Sequence, residues 1–229
     1  MALREIKIIA VGQARLNSSR CNCKMLRPYG NTTLAELAVK RLAKLKNFDG
    51  VYFGAHENEL LDIAKSNLPK KSIKFRTYDM ANTDNMMLSY SWIKKIDFDY
   101  CMWINSCHGH LTPETLDVAI ESFKKNKYKS MTSVVKRSTW YYNQNGDPVN
   151  NRNSKTQVIS QDSEVLFEVA HAFHVFQKDH FFSTKTYWNN RKNDPFLYVL
   201  NDIEALDVDT EEDFLISESV YKSINNLGS

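Results

Sequence analysis

Disulfide chemistry is the first thing this chain does without. Four cysteines, Cys21, Cys23, Cys101 and Cys107, stand in 229 residues, too few for a stapled framework, and they read as reduced thiols. There is no CxxC pair; a zinc set drawn from Cys21, Cys23, Cys107, His108 and His110 can be imagined, but its spacing matches no known finger. The apolar stretch after Met1 is broken by Arg4, Glu5 and Lys7, and nowhere do about 18 apolar residues run together, so neither leader nor membrane span is expected. A strong charge of either sign is missing too. The net +3 is spread over 25% charged residues, too mild for a nucleic-acid partner, and Lys124, Lys125, Lys127 and Lys129 read as the solvated end of a helix. No repeat and no low-complexity linker interrupts the chain. What remains is a soluble, cytoplasmic chain whose 42% hydrophobic residues suffice for a core, read as a single domain over 1–229.

The hydrophobic pattern alternates between strand and helix. Ile6 to Val11 reads as a buried strand, Thr32 to Leu45 as an amphipathic helix with Leu34, Leu37, Ala38, Leu42 and Leu45 on one face. Strands follow at Gly50 to Ala55, Ile73 to Thr77, Tyr100 to Asn105 and Ser130 to Lys136, and helices at Asn58 to Ser66, Asn82 to Lys95 and Pro113 to Lys125. The stripe of Met86, Met87, Tyr90 and Ile93 is expected in the core. Repeated βα units predict an α/β fold. From 138 to about 193 the character changes: Trp140, Tyr141, Phe167, Phe173, Tyr187 and Trp188 stand among polar turns. That stretch predicts antiparallel strands and loops inserted before the last strand and helix, with aromatics for an extra core layer or for an interface.

Two places carry candidate chemistry. The connection after the first strand runs from Gly12 to Gly30, far beyond the two to six residues usual in a βα unit, and holds no glycine between those two. It carries Arg15, Arg20, Lys24 and Arg27 among Asn17, Ser18, Ser19 and Asn22, beside a helix N-terminus: a triphosphate cradle or a solvated basic loop. Near the other end, Asp207 and Asp209 are two apart where a strand gives way to a helix. Side chains at i and i+2 share a face, so both carboxylates can meet one divalent cation; equally, Asp209 or Thr210 with Glu212 or Asp213 can form a capping box.

Gln13-Ala14-Arg15-Leu16-Asn17-Ser18-Ser19-Arg20-Cys21-Asn22-Cys23-Lys24 resembles the nucleotide loop of the acylneuraminate cytidylyltransferases, Ala-Arg-x-Gly-Ser-Lys-Arg-x-Pro-x-Lys. The resemblance continues in order along the chain. Met102 to Leu111 with the Thr112 to Thr115 helix start, Ser130 to Val135 with Trp140 and the Gln144 to Pro148 turn, Ser160-Gln161-Asp162 with Glu168 to Phe176, and Ile203 to Asp213 are each similar to a family segment. The departures are Asn17 for the loop glycine, Asn22 for the loop proline, His110-Leu111 for a Pro-Leu pair, Ala170-His171 for Asn-Gly and His174 for Tyr. Asn tolerates a left-handed backbone, so Asn17 is expected to keep the turn that glycine would make.

The resemblance implies a three-layer Rossmann-like nucleotide-diphospho-sugar transferase fold with a mostly parallel central sheet and a small antiparallel insertion at about 138–193 that serves dimerisation. It implies transfer of CMP from CTP to an acidic nine-carbon sugar with release of pyrophosphate, by a homodimer that meets neither nucleic acid nor membrane. Arg15 and Lys24 then hold the phosphates with Arg20 in support, and Asp207 and Asp209 hold Mg²⁺ (or Mn²⁺). Ala14, Asn17, Ser18 and Asn22 contact the nucleotide, Asp84 and Asn85 lie where the base is read, and Asn105, His108, Gln161, Asp162 and His171 face the sugar. A glycosyltransferase of the same fold would want its Asp-x-Asp clamp mid-chain, where Asn105 to Cys107 offers no carboxylate. A binding protein that kept the fold without turnover is the other alternative.

Overall fold

The computed structural model describes residues 5–151 and 163–227. Their centre is a seven-stranded sheet. In chain order the elements are β1 (Ile8–Gln13), α1 (Leu34–Lys44), β2 (Gly50–Ala55), α2 (Asn58–Asn67), β3 (Ile73–Phe75), two short helical turns α3 (Tyr78–Ala81) and α4 (Met86–Ser89), β4 (Tyr100–Asn105) and α5 (Pro113–Asn126). Then come β5 (Met131–Arg137), β6 (Leu166–Gln177), α6 (Lys178–Thr184), β7 (Phe196–Leu200) and α7 (Glu211–Ile224). The strand order is β3-β2-β1-β4-β6-β5-β7. All neighbours are parallel except β6, which runs antiparallel to both β4 and β5.

Alternation along the strands sends side chains to two separate cores, because successive residues of a strand point to opposite faces. Ile8, Ala10, Met102, Phe173 and Val175 pack under α1, α2, α5 and α7. Ile9, Val11, Cys101 and Phe176 pack on the other side with Tyr90, Ile93, Phe98 and Phe181. The result is helix, sheet and helix in three layers, with a mostly parallel sheet and one antiparallel strand.

Local chemistry fixes the helix ends. Thr33 accepts from the Glu36 amide at 3.1 Å to start α1, and Thr112 accepts from Thr115 at 3.2 Å with Pro113 in the first turn of α5. Lys124 and Lys125 occupy the last turn of α5 and Lys127 closes it in a left-handed conformation, so the lysine cluster does sit at a helix end.

Two expectations need correction. The helix expected over 82–95 is broken into the short α4 and a 3₁₀ turn at Ser91–Ile93, with α3 closing before it starts. The Asn85 side chain takes the amides of Met87 and Leu88, and Ser91 Oγ bonds the Leu88 carbonyl, so polar side chains compete with the helical ladder and restart it. Met86, Met87, Tyr90 and Ile93 nevertheless join the second core. The first strand lies two residues further on than Ile6 to Val11, leaving Ile6 exposed and bringing Gly12 and Gln13 into the sheet. The antiparallel part expected within 138–193 is β6, a twelve-residue strand inserted between β4 and β5 in the main sheet.

Candidate active site

In an open α/β sheet, ligands enter at the carboxyl ends of the strands where the chain connections diverge. Here that point lies between β1 and β4, from which the chain continues towards opposite edges of the sheet, to β2 and to β5. A cleft of about 310 Å³ opens there, lined by Gln13, Ala14, Arg15, Ser18, Ser19, Arg20 and Lys24 after β1, by Trp103 and Asn105 to Cys107 at the end of β4, by Arg76 after β3, and by Asp209.

The β1–α1 loop folds against α7. Arg27 clamps Glu211 with two 2.7 Å bonds and lies 4.1 Å over the Phe214 ring, so this cation belongs to the scaffold. Gly30 closes the loop at φ +62°, where an added Cβ would stand 2.8 Å from the Tyr221 ring. The loop needs a left-handed residue, but at Cys23 (φ 49°) and not at Asn17, which correctes the expected place of the turn. Asn17 and Asn22 are exposed and do not line the cleft, whereas Ala14 and Ser18 do.

Lys24 is the one cation of this loop that the fold buries, 8% exposed. It donates to the Val208 carbonyl and lies 3.4 Å from Asp209 Oδ1, while Arg20 reaches Asp209 Oδ2 at 3.1 Å from the solvent side. Burial works to lower the Lys24 pKa, but Cys107, Asp209 and Asp207 outweigh it and the ammonium is held above its usual value. The loop and the carboxylate segment, 185 residues apart in sequence, therefore meet across one charge. Arg15 stays exposed and donates to the Ala81 carbonyl at 3.2 Å.

The capping box of the Asp207 segment falls to residues other than its two aspartates. Thr210 is the N-cap of α7, in a capping box with Asp213. Asp209 is not the cap, and points into the cleft. The segment is extended but pairs with no strand; the Val208 amide bonds the Cys107 carbonyl at 3.3 Å instead. Asn105 donates to Asp207 Oδ2 at 3.3 Å, and Asp207 Oδ1 is buried without a hydrogen-bond partner. Burial first, then the charge of Asp209, pushes the Asp207 carboxyl up to about 6.

His108 is a correction. It is 0% exposed and lies beneath Asp207, with Nε2 3.0 Å from the Ala170 carbonyl and Nδ1 3.7 Å from Asp207 Oδ1. Burial, aided by the positive charge of Arg41, lowers it to about 3, so it is a neutral neighbour of Asp207 and does not face a ligand. Asp84 and Asn85 are likewise displaced: Thr83 reaches the cleft, Asp84 is exposed, and Asn85 is spent as the cap of α4. Asn105 lines the cleft. Gln161 and Asp162 lie outside the described residues.

His171 stands beyond the end of the β4–β6 ladder, whose last pair is Ile104 with Phe173. It adopts φ 55°, rare for a side chain with a Cβ. Its Nδ1 is 3.3 Å from His174 Nε2, and His174 Nδ1 is 2.8 Å from Thr132 Oγ1, with the His174 ring stacked on the cleft residue Trp103. Burial lowers His174 to about 3, so it is neutral in the folded chain. An unfolded histidine takes a proton near pH 6.5, so the folded state binds fewer protons below that value and loses stability as pH falls. The advantage of the wild type over His174→Gln in urea unfolding is expected to shrink by about 1.4 kcal/mol between pH 7.5 and 5.5; an advantage that does not change with pH would contradict the buried neutral ring.

One charged residue of the cleft has no counterpart in the sequence reading. Arg76 is 2% exposed, donates to the Ala14 carbonyl at 3.4 Å and to Ser89 Oγ at 3.1 Å, and leaves its Nε without a partner. Its signal was available: an arginine directly after a strand in an α/β chain falls at the binding edge.

Among the described residues no three His, Cys, Asp or Glu side chains converge as a metal site. Two carboxylates with one unpartnered buried oxygen still suit Mg²⁺, which usually takes only one or two protein carboxylates and completes its shell with phosphate and water oxygens.

Fold and cleft together define an α/β protein with a cation-lined cleft at the switch point of its sheet. The cytidylyltransferase family profile matches residues 9–226, and the chain belongs to that family. No curated protein matches it in sequence. Among solved structures it is similar to a CMP:2-keto-3-deoxy-manno-octonic acid synthetase complexed with CTP, at 11% identity and TM-score 0.67 over 95% of this chain and 99% of the other. It is also similar to the 4-diphosphocytidyl-2C-methyl-D-erythritol synthase of Anaerococcus prevotii DSM 20548, at 11% identity and TM-score 0.63 over 95% and 96%. A cytidylyltransferase of Leptospira borgpetersenii serovar Hardjo-bovis (strain JB197) matches at 15% identity and TM-score 0.60 over 97% of both chains. At these identities the likeness is one of fold.

Proposed function

We propose that this protein transfers CMP from CTP to a hydroxyl of an acidic, sialic-acid-like nonulosonic sugar. The acceptor oxygen attacks the α-phosphorus, the bond from that phosphorus to the bridging oxygen breaks, and pyrophosphate leaves. The observation that carries the reading is the Lys24–Asp209 contact, which closes a cationic cleft at the sheet edge of a cytidylyltransferase-family chain. Charge accumulates on the triphosphate during transfer, and Lys24, Arg15 and Arg20 supply its counterpart. Arg76 and Thr83 face the same cleft from the β3 side and are the candidates to read cytosine, while Ala14 and Ser18 line the nucleotide.

Asp207 and Asp209 are the residues that would hold Mg²⁺ or Mn²⁺. Such an ion, when bound, neutralises triphosphate charge and draws a bound hydroxyl towards ionisation. Asn105 orients Asp207, and His171, joined through His174 to the cleft residue Trp103, is the candidate to face the acceptor. The acid sugar is favoured by the resemblance of the loop and of the Ile203 to Asp213 segment, and by the acidic sugar named for the first of the similar structures.

A homodimer in the cytoplasm fits the same reading. Phe167 and Val169 on β6 and Leu197 and Val199 on β7, the two strands that flank β5, are exposed, and no helix among the described residues is long and apolar enough to cross a membrane.

The test is pyrophosphate release by the purified protein with Mg²⁺, each of CTP, UTP, ATP and GTP, and a panel of nonulosonic and ulosonic acids. Release with CTP and one nonulosonic acid is expected. Release with a neutral alcohol acceptor, or with another nucleotide, would overturn the assignment.

A further inference from the structure

We infer that Arg41, on the helix behind the cleft, is a positioning residue that holds the Asp207–Asp209 segment in its metal-binding geometry. Its place in sequence is anomalous. On α1 the residues Leu34, Ala38, Leu42 and Leu45 form the apolar stripe, and position 41 falls on that stripe, where a charge is out of place. The side chain is 4% exposed. Burial lowers its pKa to about 10, with Glu204 opposing the shift, so the guanidinium stays charged at neutral pH.

Desolvating a cation costs several kcal/mol unless well-made hydrogen bonds repay it. The repayment here is specific. Nε donates to the Leu111 carbonyl at 2.6 Å, one terminal nitrogen to the Asn105 carbonyl at 3.4 Å, and the other to the His108 carbonyl. The planar fork of donors, fixed in one plane, thus gathers three carbonyls of the single β4–α5 loop; a lysine ammonium would not span them.

That loop has two attachments to the carboxylate segment. Asn105 Nδ2 reaches Asp207 Oδ2 at 3.3 Å, and the Cys107 carbonyl receives the Val208 amide at 3.3 Å. Between them, these two bonds grip two consecutive residues, Asp207 and Val208, directly before Asp209. The far end of the loop is fixed independently, by Glu204 accepting from the Thr112 amide at 3.0 Å and from Thr115 Oγ1 at 2.7 Å. Arg41 is therefore the pin of the loop's middle, the part that carries Asn105 and Cys107. Without it the loop keeps its end but loses the geometry that orients Asp207, and the carboxylates meet a metal less well. Partners that orient metal ligands in this way are commonly worth 10- to 100-fold in metal affinity or activity.

The inference rests on the metal-site reading of Asp207 and Asp209, and the experiment separates the two. Mn²⁺ binding in the presence of CTP is followed by electron paramagnetic resonance for the wild type, Arg41→Met and Arg41→Lys, alongside melting temperature and the KM and kcat of pyrophosphate release. Expected is about a 10-fold or greater loss of Mn²⁺ affinity in Arg41→Met, with kcat falling and KM for CTP little changed, and only partial recovery in Arg41→Lys. If Arg41→Met does not fold, Arg41→Lys carries the test with a smaller loss in the same direction. Wild-type Mn²⁺ affinity and kcat in the folded variants, with only the melting temperature lowered, would overturn the inference and leave Arg41 a structural residue. A wild type that binds Mn²⁺ through Asp207 and Asp209 but releases no pyrophosphate would overturn the proposed function alone; loss of that binding in Arg41→Met would still support the positioning role.

Discussion

Replacing Asp209 with alanine is expected to cut turnover by about 100-fold or more while leaving the melting temperature close to that of the wild type. The reason is a division of labour between neighbours. The cap of α7 is Thr210, whose hydroxyl accepts from the Asp213 amide at 3.2 Å while Asp213 accepts from the Thr210 amide at 2.8 Å. Asp209 takes no part in starting the helix through its side chain; its carboxylate meets Lys24 and Arg20. The Arg20 side chain is 65% exposed, and exposed ion pairs of this kind are worth about 0–1 kcal/mol. Thr210→Ala should behave in the opposite way, losing about 0.5–2 kcal/mol of stability while most turnover survives. Thermal melts and kcat measured on the two variants side by side decide it. A destabilised but fully active Asp209→Ala protein would return that carboxylate to the scaffold.

The second large effect is expected at Lys24. Lys24→Met keeps the length of the side chain and removes its charge, and should lower kcat/KM by about 100- to 1000-fold, since a preorganised cation at the triphosphate acts where charge develops. Stability should fall as well, by about 1–3 kcal/mol, because the Val208 carbonyl loses its donor. Calorimetric titration separates the roles: affinity for CTP is expected to collapse while affinity for the acceptor acid is retained. Equal losses for both ligands would mean that Lys24 holds the cleft together without touching the phosphates.

How far the sequence foretold this arrangement depends on the range of the forces involved. The strands Gly50–Ala55 and Tyr100–Asn105 match their expected bounds residue for residue, because apolar runs bounded by polar turns carry their own limits. The helix after Thr112 is equally local: a capping threonine, a proline in the first turn and an apolar stripe. The stretch 82–95 has a helical stripe as well, but Asn85 and Ser91 divert backbone groups, and periodicity alone does not register that competition. The position of β6 between β4 and β5 is a matter of pairing across the chain, which no local pattern encodes.

The site divides in the same way. Lys24 and Asp209 stand out as charges in motif-like segments and the fold brings them together. His108 stands next to the motif at the end of a strand, yet the backbone turns it inward under Asp207. Arg76 and Arg41 sit in segments that look like ordinary scaffold, and their burial against carbonyls of cleft loops shows what each holds. In Arg41 the sequence did hold a clue, a lone charge on an apolar stripe.

The fate of the α-phosphorus of CTP tests the central claim most directly. Phosphorus-31 NMR of the protein with CTP, Mg²⁺ and the acceptor acid should show pyrophosphate growing in step with one new phosphodiester signal, as CMP becomes joined to the sugar. Inorganic phosphate with CDP, or free CMP with no diester at any time, would show hydrolysis where transfer is claimed, and would contradict the account.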